Sequence, residues 1–300
     1  MYTDHLYVPL TGAAPGQSLH VERTGYGGAP VVLLHGFGTS TFLWRQVAPR
    51  LAEQGATVLA MDLLGFGESV SPGERGTSPA DQAAHVELAL LALRAAPGMV
   101  VGVGLGALVA LLLALRAPDR VQRLLLVDPL DPDDLPGPAV RQLQRSTVTA
   151  ALSSHSLFGA RPLLEPFLAR AMPEGQALTD LVLARHLAPF VGPDGAGRLL
   201  QLASGITLDE TSRVALEGLR TEVLLWCSAR PGGASEDRAA AGRRHSGDAE
   251  DGSPVERIAR WRALLPGCRL VPVVAGTPAG ELVPELAPAA LASAIEAWMP

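Results

Sequence analysis

The side chains of this sequence that could act as an acid, a nucleophile or a base follow apolar runs or lie in polar segments. Asp128 is a candidate acid, although Asp-Pro after an apolar run is also an ordinary turn signal. Cys227 is a candidate thiol nucleophile, but a buried cysteine commonly packs as a small hydrophobe. His245 is a candidate base in a polar segment, whereas we expect His155 and His186 to be surface or satisfied histidines. All 24 basic residues are arginine, which excludes lysine chemistry.

A regular alternation of apolar runs and helical patterns must position these groups. The helical patterns cover residues 41–54, 81–95, 105–116 and 288–298. The apolar runs, which we predict to be strands, cover residues 19–23, 31–34, 57–61, 99–103, 123–127, 222–227 and 269–274. Strands that are apolar throughout and alternate with helices indicate a mostly parallel sheet covered by helices on both faces. The sequence therefore predicts an α/β fold.

The strand signal stops over residues 131–220, where helical stretches are broken by repeated prolines. We predict that this segment is an inserted helical cap and that residues 1–130 and 221–300 form the core. Residues 228–254 are rich in Gly, Ala, Arg, Asp and Ser and have no large apolar side chain. Because loops of this length are uncommon in compact domains unless they are functional or disordered, we predict a mobile loop there.

Composition and charge limit the kinds of protein that this chain can be. Hydrophobic residues make up 48% of the 300 residues, enough for a large core, and the 18% of charged residues is low for a disordered or nucleic-acid-binding chain. The net charge of -6 gives no attraction to phosphate or anionic lipid, so we expect no nucleic-acid partner. Cys227 and Cys268 do not have the number or spacing of a disulfide framework or a zinc site, and we predict no metal and no cofactor.

The uncharged stretch over residues 99–115 approaches the length of a membrane span. It is interrupted by Gly102, Gly104 and Gly106, which is more typical of a buried strand, a tight turn and a buried helix than of one continuous helix. We therefore predict no membrane span. The first residues lack the basic and apolar regions of a secretory signal, so we expect a cytoplasmic location.

Two long motifs resemble the opening of the α/β-hydrolase fold family, and the capped branch of that family is the best match. The motifs read VVLLHGFG at residues 31–38 and MDLLGFGES at residues 61–69, with Trp44 between them. The resemblance continues through VGLG at residues 103–106 and LVDP at residues 126–129, and it covers nearly the whole chain. It implies the α/β-hydrolase fold, a mostly parallel sheet flanked by helices with an inserted helical cap.

The resemblance also implies a catalytic triad, and the three positions that would carry it hold other residues. The nucleophile of the family lies at the centre of a Gly-x-Ser-x-Gly elbow. Here residues 102–106 read GVGLG, which places Gly104 at that centre. Arg230 takes the place of the acid, and Glu281 takes the place of the histidine. No histidine follows His245.

The backbone part of the family's site is retained. The resemblance implies an oxyanion hole formed by the N–H groups of Phe37 and Leu105, which could hold a carbonyl or carboxylate group. We expect Gly36 and His35, in the same loop, to contribute to this ligand-binding site, and in this motif the histidine usually braces the loop. We expect Asp62 and the glycine-rich turn after it to be structural as well.

We predict from these substitutions a non-catalytic member of the fold, a pseudoenzyme. Its pocket beneath the cap would bind a small apolar or carbonyl-containing ligand, or its surface would bind a protein partner. The main alternative is an active hydrolase of ester or similar bonds with relocated groups, such as Asp128 with His245. A purely structural scaffold, with a filled cavity beneath the cap, is the second alternative.

Overall fold

A single sheet organises the computed structural model, which describes residues 2–71, 76–145, 159–172, 176–227, 254–271, 280 and 282–299. Within these residues the sheet has eight strands, labelled β1 to β8 in chain order: Thr3–Pro9, Ser18–Thr24, Val31–Leu34, Val58–Met61, Met99–Val103, Arg123–Val127, Glu222–Trp226 and Arg269–Leu270. Across the sheet they lie in the order β1-β2-β4-β3-β5-β6-β7-β8. β1 and β2 form an antiparallel pair, β2 also runs antiparallel to β4, and the remaining neighbours are parallel.

Helices cover the central strands, so that every residue of β3, β4 and β5 is buried. The α-helices, of which the first four are labelled α1 to α4, are Ala48–Glu53, Pro79–Ala92, Leu105–Arg116, Pro138–Arg145, Arg161–Ala169, Asp180–Leu187, Gly195–Ser204, Glu210–Glu217, Pro254–Leu264, Val283–Leu286 and Pro288–Glu296. The predicted α/β fold with a mostly parallel sheet is confirmed. No helix in the described ranges has both the length and the apolar character needed to span a bilayer.

The expectation of one continuous helix over residues 41–54 is wrong. Thr41–Trp44 forms a short 3-10 helix, and α1 begins only at Ala48. Pro49 lies in the first turn of α1. Proline has no N–H to donate to a carbonyl of the preceding turn, so the apolar spacing of this segment is divided between two helices.

Three elements outside the segment 131–220 were not predicted from the sequence, namely β1 and the helices Pro254–Leu264 and Val283–Leu286. β1 is an edge strand whose residues are mostly half-buried or exposed, so it has no continuous apolar run. The helix Pro254–Leu264 begins at the last residue of the predicted mobile loop, and residues 228–253 of that loop lie outside the described residues.

The described helices of the segment 131–220 lie between β6 and β7 in the chain. One of them, Arg161–Ala169, packs against the loop after β3, where the side chain of Leu164 occupies the space that a Cβ on Gly38 would need. This contact places helical structure over that loop. The assignment of the whole segment as a separate cap stays a prediction.

Candidate functional site

Gly104 forms the turn between β5 and α3. Its φ of 51° and ψ of -111° are a conformation that residues with a side chain rarely adopt. The N–H of Gly104 donates to the carbonyl of Val127 (3.0 Å), and its own carbonyl accepts from the N–H of Ala107 (3.2 Å). The turn therefore has a strained geometry that glycine adopts without a steric cost.

The two glycines that flank the turn allow α3 to approach the sheet closely. A Cβ on Gly102 would overlap the carbonyl of Gly106. A Cβ on Gly106 would lie 2.6 Å from the carbonyl oxygen of His35 and would overlap that of Leu34. The start of α3 is thus in direct backbone contact with the loop after β3, and this contact requires glycine.

Hydrogen bonds to the carbonyl of Gly36 fix the loop after β3. This carbonyl accepts from the imidazole Nδ1 of His35 (2.8 Å) and from the hydroxyl of Thr39 (2.9 Å). Because C=O and N–H point in opposite directions across a trans peptide, these bonds turn the N–H of Phe37 away from His35. Among the described residues, neither this N–H nor that of Leu105 has a hydrogen-bond acceptor.

His35 is fully buried, and both of its ring nitrogens have partners inside the protein. Nδ1 bonds to the carbonyl of Gly36, and Nε2 accepts from the N–H of Leu63 (3.0 Å). These partners assign the neutral tautomer with the proton on Nδ1. Burial lowers the pKa of His35, which also favours the neutral ring. His35 therefore joins two loops and does not present a nitrogen to a ligand.

Asp62 organises the glycine-rich turn after β4. Its carboxylate accepts from the backbone N–H groups of Thr41 (2.6 Å) and Glu68 (2.9 Å) and bonds to Nδ1 of His20 (2.7 Å). A Cβ on Gly67 would overlap this carboxylate. Burial opposes protonation of His20, but the hydrogen bond and negative charge of Asp62 outweigh it and raise the pKa of His20. The geometry supports a structural role for Asp62.

Asp128 lies directly after β6 and is buried, with a positive φ of 39°. Its carboxylate accepts from the N–H of Gly280 (2.9 Å) and lies 3.6 Å from the guanidinium of Arg257. Arg257 is itself buried and comes from the helix Pro254–Leu264. Arg257 could not be identified from the sequence, because an arginine 129 positions further along the chain gives no signal that it pairs with an aspartate.

Cys227 lies at the end of β7. Burial raises the pKa of its thiol to about 12, and the negative charge of Asp128 contributes to this shift. A thiol with such a pKa is almost entirely protonated at neutral pH, and the thiol is a poor nucleophile. The structure supports the interpretation of Cys227 as a small apolar residue.

Aromatic rings connect the loop after β3 to the helices that follow β6. The ring of Phe37 packs edge-on against Phe66 and Phe167, with centroid distances of 5.8 and 5.3 Å. Phe66 also packs against Phe190 (6.0 Å). Edge-to-face pairs of this kind add stability to that gained from burying the apolar area of the rings. The side chain of Phe37 is therefore held in the core while its backbone N–H lies in the loop.

His186, in the helix Asp180–Leu187, is fully buried, and the expectation of a surface or satisfied histidine is wrong for one of its two ring nitrogens. Its Nδ1 lies 3.3 Å from the hydroxyl of Ser40, and its buried Nε2 has no hydrogen-bond partner among the described residues. Burial lowers the pKa of His186 to about 3, with smaller contributions from His35 and Arg45. The neutral imidazole thus adds an unsatisfied polar atom beside the loop after β3.

Three residues named in the sequence analysis, Arg230, His245 and Glu281, lie outside the described residues, as does His155. Among the remaining candidates, the structure brings the backbone of His35, which precedes Gly36 and Phe37 in the same loop, into contact with Gly106 at the start of α3. It places Asp128 at the end of β6, beside the strand that leads into the Gly104 turn, and pairs its carboxylate with Arg257.

Comparisons with known proteins agree with this architecture. The family model described as alpha/beta hydrolase fold matches residues 29–153. A haloalkane dehalogenase from Agrobacterium fabrum is 36% identical over 117 residues, which are 39% of this chain and 38% of the relative. The 2-hydroxymuconate semialdehyde hydrolase of a Pseudomonas species is 38% identical over 113 residues, 37% of this chain and 38% of the relative. The aligned stretches therefore span less than half the length of these relatives.

Solved structures are similar over almost the entire chain. The haloalkane dehalogenase DbeA from Bradyrhizobium elkani has a TM-score of 0.72 at 21% identity, covering 99% of this chain and 98% of that one. The carboxylesterase CesB from Bacillus subtilis has a TM-score of 0.67 at 19% identity, covering 99% and 92%. At these identities the likeness concerns the fold. The sheet order, the partial match to the family model and the likeness to these structures together show that this chain has the α/β-hydrolase fold.

Proposed function

We propose that this protein is a non-catalytic member of the α/β-hydrolase fold family that binds a small apolar or carbonyl-containing ligand at the Gly104 turn. One observation carries the proposal. The residue at the tip of the turn, where the family resemblance places the nucleophile, has the sharp backbone geometry of an elbow but no side chain. A covalent intermediate cannot form on glycine.

The proposed loss of catalytic side chains includes the acid and the base of the triad as well as the nucleophile. The resemblance places Arg230 and Glu281 at the acid and base positions, and neither is a residue that could complete a Ser-acid-His relay. By analogy with measured triad deletions, such a loss costs roughly a million-fold in turnover. What is left for catalysis is binding and backbone hydrogen bonding.

Two backbone donors support the binding half of the proposal. Among the described residues the N–H groups of Phe37 and Leu105 have no acceptor. They belong to two segments that touch at Gly106, and Leu105 is the first residue of α3, where the helix dipole favours a partial negative charge. A carbonyl or carboxylate oxygen is the chemical group that satisfies both donors.

The rival function, an active hydrolase that uses Asp128 with His245, requires the carboxylate to orient a histidine. The buried contact between Asp128 and Arg257 argues against that role, because a guanidinium beside the carboxylate competes for its charge. The scaffold function would instead require that protein side chains fill the cavity beneath the proposed cap.

Turnover assays distinguish these functions. Purified protein is incubated with a panel of short-chain aryl esters, and we expect no saturable turnover above a heat-denatured control. Asp128→Asn and His245→Ala variants serve as controls for relocated catalysis. Saturable turnover that either substitution abolishes would establish the rival function and overturn the proposal.

A Gly104→Ser variant tests the missing relay separately from the missing nucleophile. We expect it to remain inactive, since no described base is positioned to activate the new hydroxyl. Gly267→Ser is the matched control, because Gly267 has open space around its Cβ position and does not form the turn. Strong turnover by Gly104→Ser alone would show that the rest of the relay is intact.

A further inference from the structure

One face of the β1–β2 hairpin carries two histidines and a glutamate. In the antiparallel register His5 lies opposite Glu22, and Tyr7 lies opposite His20, so the side chains at positions 5, 7, 20 and 22 share a face. Nδ1 of His5 is 3.0 Å from Nε2 of His20. The ligand atoms of His5, His20 and Glu22 all lie within 4.8 Å of one another.

The orientation of His20 is fixed by a buried carboxylate. Its Nδ1 lies 2.7 Å from a carboxylate oxygen of Asp62, and both side chains are almost completely buried. Since a carboxylate accepts the proton, Nδ1 is the protonated nitrogen and Nε2 carries the lone pair. That lone pair is directed towards His5 at the surface of the hairpin. A histidine whose second nitrogen donates to a carboxylate is the arrangement found around protein-bound metals.

We propose that His5, His20 and Glu22 bind a divalent transition-metal ion, with Zn²⁺ as the best match. Two imidazoles and a carboxylate are the ligand types that zinc takes in sites with three protein ligands, in which water completes the tetrahedron. Zinc–nitrogen bonds are about 2.0 Å long, and in a tetrahedral site they place two ligand nitrogens about 3.3 Å apart. The observed distance between Nδ1 of His5 and Nε2 of His20 is close to this, at 3.0 Å.

Small movements would complete the coordination. The carboxylate of Glu22 is half-buried on a flexible side chain and accepts from the hydroxyl of Thr41 (2.8 Å), which leaves its second oxygen available for a metal. His5 is exposed, so it can adjust its ring, and the ion has a path from solvent. The carboxylates of Asp62 and Glu68 add negative charge beside His20.

The proposed ion would act as a staple. It would join β1 to β2, and through the His20–Asp62 hydrogen bond it would connect the hairpin to the turn after β4. Its contribution is to stability, because none of its ligands belongs to the Gly104 turn. The proposal is independent of whether the turn is catalytic.

Calorimetric titration of the full chain with ZnCl₂, after treatment with a chelator, tests this site. We expect one equivalent of zinc to bind tightly and to raise the Tm. The His5→Ala variant should bind at least about 100-fold more weakly and lose the zinc-dependent rise in Tm, because it removes a direct ligand. His5 is exposed on an edge strand, so the variant should fold.

The control variant is His245→Ala, which removes a histidine that is not part of the site. Equal zinc binding by wild type and His5→Ala, or weaker binding by His245→Ala, would place the metal elsewhere and overturn the proposal. Absence of stoichiometric binding by the wild type would also overturn it, and the 3.0 Å contact would then be a simple hydrogen bond between two imidazoles. Glu22→Gln provides a second variant, for which we expect intermediate affinity.

Discussion

Substitution of Gly106 by alanine tests the close contact that positions both backbone donors. The new Cβ would lie 2.6 Å from the carbonyl oxygen of His35 and would overlap that of Leu34. Both obstacles are backbone atoms of β3 and its loop, which cannot rotate away as a side chain can. Real Cβ atoms hardly ever come closer than 3.0 Å, so the contact with His35 alone requires α3 and the loop to separate by about 0.4 Å, and the closer contact with Leu34 requires a larger separation. Overpacking of this kind costs about 3 kcal/mol, the upper end of the range for well-packed cores.

Chemical denaturation of Gly106→Ala measures this cost, with Gly267→Ala as the matched control. Gly267 has no atom within 4 Å of its Cβ position, so alanine there should change the free energy of unfolding by less than about 1 kcal/mol. In Gly106→Ala we also expect the amide resonances of Phe37 and Leu105 to shift, because the two segments that carry them separate. A Gly106→Ala variant as stable as Gly267→Ala would refute the contact.

Three further predictions concern the turn and the buried charges. Gly104→Ala should lower the free energy of unfolding by about 1 to 3 kcal/mol in chemical denaturation, because φ is 51° at this position. His186 has a folded-state pKa of about 3 against 6.5 in the unfolded chain, so the unfolded state binds the additional proton and stability falls as the pH drops below 6.5. At pH 5 this loss amounts to about 2 kcal/mol, and His186→Leu should show a correspondingly flatter dependence between pH 7.5 and pH 5. Arg257→Met should cost about 3 kcal/mol by removing the guanidinium beside Asp128, and the double variant with Asp128→Asn should cost less than the sum of the single changes.

The central strands could be predicted from the sequence because their residues are buried on both faces. β3, β4 and β5 are continuous apolar runs, and each of their residues is buried in the structure. Edge strand β1 has no such run, because the hairpin is partly exposed to solvent, and it was missed. Local pattern therefore identified the elements that helices cover and failed at the edge of the sheet.

The backbone of the candidate site was predictable, and its side-chain pairing was not. The spacing of Gly102, Gly104 and Gly106 indicated a strand, a turn and a helix, and the structure places the turn at Gly104. The contacts of Asp62 with His20 and of Asp128 with Arg257 join residues 42 and 129 positions apart. Partners at such separations are set by the topology of the sheet, which no local pattern encodes.

A single NMR experiment tests most directly whether the Gly104 turn binds a carbonyl-containing ligand without hydrolysing it. The ¹⁵N-labelled full chain is titrated with a short-chain aryl ester while the proton signals of the ester are followed in the same tube. We predict that the amide resonances of Phe37 and Leu105 shift saturably and that the ester is consumed no faster than with heat-denatured protein. Consumption of many equivalents above that background, at a rate that Asp128→Asn abolishes, would contradict the account.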